Sequence, residues 1–256
     1  MQEFLEIARN AALEAGHIQR EAFRTAHRVE YKSPDDIVTD VDKRAETAIK
    51  ARILETFPEH TILAEESGEQ NESSYRWIVD PLDGTTNFVQ GIAHYCVSIA
   101  LEIDGRLELG VIYHTPEDDL YTAVRGDGAH LDDESLSVST VEQLGHAVVA
   151  VEFSPDDLTT GDTIGILAAI NRRARRTRHM GSSASELAMV AQGTFDGLFG
   201  TRFHPWDIAA GHVLVDEAGG EVTRLDGANR SGQYLISNGT IHSDLLGCIE
   251  EVTDGS

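Results

Sequence analysis

The amino-acid sequence predicts a layered α/β protein, with an antiparallel first sheet flanked by helices and a mixed second sheet flanked by helices. Three observations predict it. Apolar residues recur at helical spacing from the start of the chain. Two β-prone runs, 96–103 and 107–113, flank Asp104-Gly105, a pair that favours a tight hairpin turn. Beyond about residue 147, strand-like and helix-like segments alternate. The 256 residues read as one domain, with sub-regions of about 1–140 and 141–256 and no repeat or linker.

The first helix rests on Phe4, Leu5, Ala8, Ala11, Ala12, Ala15 and Ile18, which share one face. A second helix is expected over 39–57, with Val41, Ala45, Ala48, Ile49, Ile53 and Phe57 as its stripe. Thr39 is its N-cap, Asp42 follows three residues later, and Pro58 stops it. Runs 61–64 and 75–79 read as strands, the second ending at Asp80-Pro81 because proline cannot donate to a ladder. Residues 120–124 extend the antiparallel sheet. In the second half, strands are placed at 147–153, 176–180, 195–199, 221–225 and 234–236. Helices are placed at 162–170, 184–192, 206–218 and 241–250, with Gly219-Gly220 ending the third.

Charge narrows the partners. Asp and Glu number 44 against 20 for Lys and Arg, a formal net charge of −24, and the only lysines are Lys32, Lys43 and Lys50. A field of that sign repels nucleic acid and anionic membrane, so neither is expected as a partner. The scarcity of lysine points to adaptation to high salt, where screening relieves self-repulsion. No window approaches ~18 uninterrupted apolar residues. The N-terminus lacks the basic start and apolar run of a secretory signal, and with two cysteines read as reduced thiols a cytoplasmic location is expected. Cys96 and Cys248 sit in apolar stretches, fit no metal spacing and are expected to be buried thiols. The run Arg172, Arg173, Arg175, Arg176 and Arg178 is expected to pair with surface acids, with Arg178 helping to attract an anion.

The chemistry concentrates in Trp77-Ile-Val-Asp80-Pro-Leu-Asp83-Gly-Thr-Thr-Asn87-Phe88. A strand delivers Asp80, the turn brings Asp83 near it, and two carboxylates can share hard cations. Gly84 lets backbone approach a ligand closely. Thr85 and Thr86 begin a short helix whose free N–H groups suit phosphate. Oxygen-rich ligation suits Mg²⁺ or Mn²⁺ better than zinc. Taken singly, the acids have plain structural readings: Glu65-Glu66 as a solvated pair, Asp42 as a first-turn acid, Asp207 as a cap.

Together they resemble the signature of the inositol monophosphatase family, in the superfamily that includes fructose-1,6-bisphosphatases. Leu63-Ala-Glu65-Glu66-Ser67 resembles its glutamate pair, and Asp36-Ile-Val-Thr39-Asp-Val-Asp42 its upstream acidic motif. Pro205-Trp206-Asp207-Ile-Ala-Ala-Gly211, followed by Glu217-Ala-Gly-Gly220, resembles its downstream motif, and Gly181-Ser-Ser-Ala184 its substrate loop. The motifs occur in family order over nearly the whole chain.

The resemblance implies an αβαβα sandwich and a Mg²⁺-dependent phosphomonoesterase holding two or three ions. It implies metal ligands at Glu65, Asp80, the Leu82 carbonyl, Asp83 and Asp207. It implies catalytic roles for Asp42, Glu65 and Thr85, with Thr85 and Asp42 orienting and deprotonating the attacking water. Asp83, Gly84, Thr85, Gly181, Ser182 and Ser183 would face phosphate or alcohol, and a homodimer is expected. Many inositol phosphatases carry a glutamate seven residues before the Trp-Asp aspartate; here that position is Gly200, with Arg202 two residues later. That departure weakens strict inositol selectivity and offers Arg202 to a second phosphate. The expected substrate is a small sugar or polyol phosphate, inositol 1-phosphate or fructose 1,6-bisphosphate. Histidinol phosphate and 3′-phosphoadenosine phosphate are the alternatives, and a non-catalytic regulatory or binding protein of the same fold is the remaining rival.

Overall fold

Small residues let the first helix lie close to the sheet beneath it. Helix α1 (Gln2–Ala22) buries Ala8, Ala11, Ala12, Ala15 and Gly16. A Cβ on Gly16 would sit 2.2 Å from the Tyr113 ring, so only glycine permits this approach. Helix α2 (Asp40–Thr56) packs on α1. Its N-cap is Thr39, whose hydroxyl accepts from the Val41 and Asp42 N–H groups while the Asp42 carboxylate accepts from Thr39 N. That is the predicted capping box. The computed structural model describes residues 1–25, 28–33, 37–159, 161–225 and 232–253. Asp36 of the upstream motif lies outside them.

A two-stranded ribbon, β1 (Val29–Tyr31) and β2 (Ile37–Thr39), leads into α2. The strands that follow are β3 (Thr61–Ala64), β4 (Gly68–Gln70) and β5 (Tyr75–Asp83), and after the short helix α3 (Thr85–Gln90) come β6 (Cys96–Ile103), β7 (Arg106–His114), β8 (Asp119–Val124), β9 (Gly128–Leu131) and β10 (Glu134–Ser135). They form one sheet in the order β10-β9-β8-β7-β6-β5-β3-β4. The β6–β7 turn has φ of 51° at Asp104 and 80° at Gly105, as the Asp-Gly pair predicts.

The second half supplies β11 (Val148–Glu152), α4 (Gly161–Arg173), β12 (Arg176–Arg178), α5 (Ser183–Ala191), β13 (Gly197–Phe203), α6 (Pro205–Glu217), β14 (Glu221–Arg224), β15 (Gly232–Ser237) and α7 (His242–Thr253). The second sheet runs β12-β11-β13-β15-β14, parallel at β11–β12 and β11–β13 and antiparallel elsewhere. Five layers result: α1 and α2, the eight-stranded sheet, α5 and α6, the five-stranded sheet, then α4 and α7. Helix α6 is apolar nearly all round, burying Ile208, Ala209, Ala210, Val213, Leu214 and Val215, because it is sandwiched between the two sheets.

Several expectations need correction. Strand β5 does not stop at Asp80; it runs on to Asp83, with the β5–β6 register shifting between those residues. A bulge there tolerates Pro81, which has no N–H to offer. The first sheet is not wholly antiparallel, since β3 and β5 are parallel while β4 pairs on the outer edge. Strands β1, β2, β4, β9 and β10 are too short to carry a readable alternation. In the basic run, Arg173 pairs with Glu251, whereas Arg176 and Arg178 donate to the Arg175 and Thr177 carbonyls. Cys96 and Cys248 are buried and free, as expected. Among the described residues no helix is long and apolar enough to cross a membrane.

Candidate active site

The capping residue of α2 is also the hub of a buried network. Asp42 is fully buried; its Oδ2 accepts from Thr39 N (2.9 Å) and Thr39 Oγ1 (2.5 Å). Its Oδ1 accepts from Thr85 Oγ1 at 2.9 Å. The same hydroxyl lies 2.9 Å from the Leu82 carbonyl, so one hydrogen is shared between two acceptors. Burial raises the Asp42 pKa above the ordinary carboxylate value, against the pull of those hydrogen bonds.

Around this pair stand four more carboxylates. Asp80 is 2% exposed, and its Oδ1 accepts from Leu82 N at 3.0 Å. Its pKa is pushed well up by burial, then by the charges of Glu65, Asp83 and Asp207. Asp207, in the first turn of α6, is raised by burial, then by Asp83. Glu65 follows β3 and is raised to about 7 by burial, opposed by Lys32. Four acids from three stretches of chain therefore sit in one another's fields. Among the described residues no three Asp, Glu, His or Cys side chains already converge as a closed metal cage.

A cation does sit at the edge of this group. Lys32 Nζ lies 2.9 Å from Glu65 Oε1 and 2.6 Å from Glu66 Oε1, and the two acids raise its pKa against the cost of burial. Its ammonium stands where positive charge is needed. With oxygen-only donors, and with repulsion that Lys32 offsets only at the Glu65 edge, the set fits a hard divalent cation that would draw the carboxylates together.

Asp83 ties the strand end to the second half. Its carboxylate accepts from Ser182 Oγ (2.6 Å), Ala184 N (2.9 Å) and Ser183 N (3.2 Å). It thus caps the N-terminus of α5, where the helix dipole favours an anion. Gly84 is required between these parts: its φ is 91°, and a Cβ there would lie 3.0 Å from the His94 carbonyl and 3.3 Å from that of Gly181. Asn87 Nδ2 donates to the His94, Met180 and Gly181 carbonyls, holding the same loop.

A cleft of about 540 Å³ opens beside this assembly, lined by Asp207, Gly181, Ser183, Glu152, His179 and Arg202. Ser182, expected to face substrate, does not line it: its hydroxyl is buried and committed to Asp83 and Ser185. Arg202 does line it, yet its Nε lies 2.6 Å from Asp157 Oδ1, which ties down its charge. Glu217 of the downstream motif lies apart from the acids, accepting from Gly128 N at 3.0 Å.

A family model described as the inositol monophosphatase family matches residues 1–253. The chain belongs to the inositol monophosphatase family. The Nus factor SuhB of Escherichia coli strain K12 is 41% identical over 246 residues, covering 94% of this chain and 91% of that protein. The solved structure of extragenic suppressor protein suhB from Bartonella henselae is 35% identical with a TM-score of 0.92, covering 97% and 99% of the two chains. That of an inositol monophosphatase from Anabaena is 35% identical with a TM-score of 0.87, covering 98% and 96%. Membership of the inositol monophosphatase family supports a Mg²⁺-dependent phosphatase of this fold.

Among the described motif residues, Asp42, Thr85 and the Leu82 carbonyl share one hydrogen-bond network, and Glu65, Asp80, Asp83 and Asp207 lie within one another's fields, while Glu217 and the Ser182 hydroxyl are committed elsewhere. Lys32, Glu152 and Glu186 were given no role by the sequence, and Asn87 stood only as part of the motif. Lys32 had one signal, being among only three lysines of the chain. Glu152 and Glu186 had none, because nothing local tells a buried acid that grips a loop from one that faces water.

Proposed function

We propose that this protein is a Mg²⁺-dependent phosphomonoesterase acting on small sugar or polyol phosphates, with inositol 1-phosphate and fructose 1,6-bisphosphate as the leading candidates. The observation that carries the reading is the crowding of buried and half-buried carboxylates beside the Thr85–Asp42 pair. Glu65, Asp80, Asp83, Asp207 and the Leu82 carbonyl would hold two or three Mg²⁺ ions, with Mn²⁺ as a substitute. When bound, Mg²⁺ supplies charge neutralisation for the phosphate and acidifies water.

The chain's own residues then handle protons and orientation. Thr85 Oγ1 passes its hydrogen to Asp42 Oδ1 as it takes one from the attacking water. Asp42 is held for this by its two contacts from Thr39. The first N–H groups of α3, together with that of Gly84, orient the phosphoryl oxygens. Phosphate release from inositol 1-phosphate, fructose 1,6-bisphosphate, histidinol phosphate and 3′-phosphoadenosine phosphate, with and without Mg²⁺, tests the reading. Asp80→Asn and Asp207→Asn should each abolish the Mg²⁺-dependent release; normal turnover in either variant overturns the assignment.

A second reading follows from relatives called Nus factor SuhB: a role of the kind that name denotes, with or without turnover. A wild-type protein that releases no phosphate from any of these esters would favour it. The acidic surface disfavours direct nucleic-acid contact. A homodimer in a cytoplasm of high salt completes the proposal, and sedimentation across salt concentrations tests both parts.

A further inference from the structure

Two acids outside the metal group grip the loop that borders the cleft. Glu152, at the end of β11, accepts the Gly181 N–H on Oε1 at 2.9 Å. Glu186, in the first turn of α5, accepts the Met180 N–H on Oε1 at 2.8 Å. Consecutive amides of one loop are thus held by carboxyl groups from two different elements. Asn87 takes the Met180 and Gly181 carbonyls, so the loop backbone is pinned through both its donors and its acceptors.

Glu186 is fully buried, and its Oε2 has no hydrogen-bond donor within reach. The Glu152 carboxyl lies against it as another acceptor. Two ionised carboxylates there would repel; one proton on Glu186 turns the contact into a hydrogen bond. Burial, and then the charge of Glu152, push the Glu186 pKa well up, in keeping with that proton. Glu152 remains as the member that lines the cleft, with 12% of its side chain exposed.

The sheet explains why position 152 holds this place. In the parallel ladder Glu152 is the register partner of Gly200. A Cβ on Gly200 would sit 2.2 Å from the Phe203 ring, so a side chain at that position would require the ring to move. The neighbouring arginine, Arg202, is tied to Asp157. An anionic acceptor beside an already neutralised arginine suits hydroxyl groups and repels a second phosphate.

We propose that Glu152 is a specificity-determining acceptor for the hydroxyl groups of a polyol monophosphate, and that Glu186 positions it together with the Met180–Gly181 backbone. This rests on the phosphatase reading above and narrows it to hydroxyl-rich monophosphates.

The test compares kcat/KM on inositol 1-phosphate with that on ethyl phosphate, which has no hydroxyl group, in the presence of Mg²⁺. Glu152→Gln should lower the ratio of the two by about tenfold or more, mainly through KM for inositol 1-phosphate, as expected for losing a charged acceptor. Glu186→Gln should keep the wild-type ratio, since its amide still donates to Glu152 and still accepts from Met180. Glu186→Leu should lower the ratio as Glu152→Gln does. An unchanged ratio in Glu152→Gln, or equal effects of Glu186→Gln and Glu186→Leu, overturns the proposal. If Glu186→Leu does not fold, the other two variants decide. A wild-type protein inactive on both esters defeats the phosphatase reading alone. Calorimetric binding of inositol 1-phosphate then decides: weakening by about tenfold in Glu152→Gln sustains the proposal, and an unchanged Kd overturns it.

Discussion

Gly110 in the middle of β7 offers a direct test of how the fold holds Asp207. A Cβ placed there would lie 2.4 Å from the Ala210 carbonyl oxygen, about 1 Å short of ordinary van der Waals contact at 3.4 Å, and 3.0 Å from Ala210 Cα. The obstacle is helix backbone, which cannot rotate away as a side chain would. Gly110→Ala therefore forces α6 off the eight-stranded sheet by roughly 1 Å, or strains both. Overpacking of this kind costs about 1–3 kcal/mol, a fall in Tm of roughly 2–12 °C for a chain of this size. Asp207 lies one turn before Ala210 on the same helix, so it should move with it. A displacement of about 1 Å at a reacting centre lowers turnover about 10²-fold. Thermal unfolding, Mg²⁺ titration and phosphate release measured on the same preparation read both effects. A variant with wild-type Tm and activity would show that α6 slides freely on β7 and that the Gly110–Ala210 contact does not fix Asp207.

Three further outcomes are expected. Thr85→Val removes the hydroxyl shared by Asp42 and Leu82; kcat should fall about 10²–10⁴-fold, stability should fall by about 1–3 kcal/mol because the buried Asp42 Oδ1 loses its donor, and an unchanged kcat in the folded variant would remove Thr85 from the proton path. The native pKa of Glu186 is raised above its ordinary 4.5, so the native state holds more protons than the unfolded chain above that pH. Its stabilising contribution is full below pH 4.5 and is lost as pH rises through the native value. Glu186→Gln should thus flatten the dependence of Tm on pH above 4.5 and raise Tm at pH 8; a slope matching the wild type would refute the buried proton. Finally, a chain of net charge −24 should gain Tm as KCl rises from 0.1 to 1 M, where the screening length falls from about 10 to 3 Å. A Tm that is flat or falling over that range would count against adaptation to high salt.

Much of the site was legible because its residues obey local rules. Thr39 and Asp42 spell a capping box, and the box is present. Asp80-Pro-Leu-Asp83-Gly spells a strand end and a turn, though the structure keeps the strand going by a bulge at Pro81. The Ser182 assignment failed because a serine before a helix looks the same whether its hydroxyl meets solvent or a carboxylate. Here it meets Asp83, which lies 99 residues away in the chain. The short strands β1, β4 and β10 are set by their partners and have no periodicity of their own to read.

By itself, then, the sequence determined which side chains would carry the charge and which of the longer segments would be helix or strand. Those properties depend on residues within a few positions of one another, where backbone sterics and the spacing of apolar groups act. Only the tertiary structure decided which acids repel one another, which serine hydroxyl is buried on Asp83 and which serine lines the cleft, and that Glu152 lines that cleft beside Gly181. These follow from the register between β11 and β13 and from the placing of α5 and α6 between two sheets. Packing of elements that are distant in sequence sets them, and no local pattern encodes that.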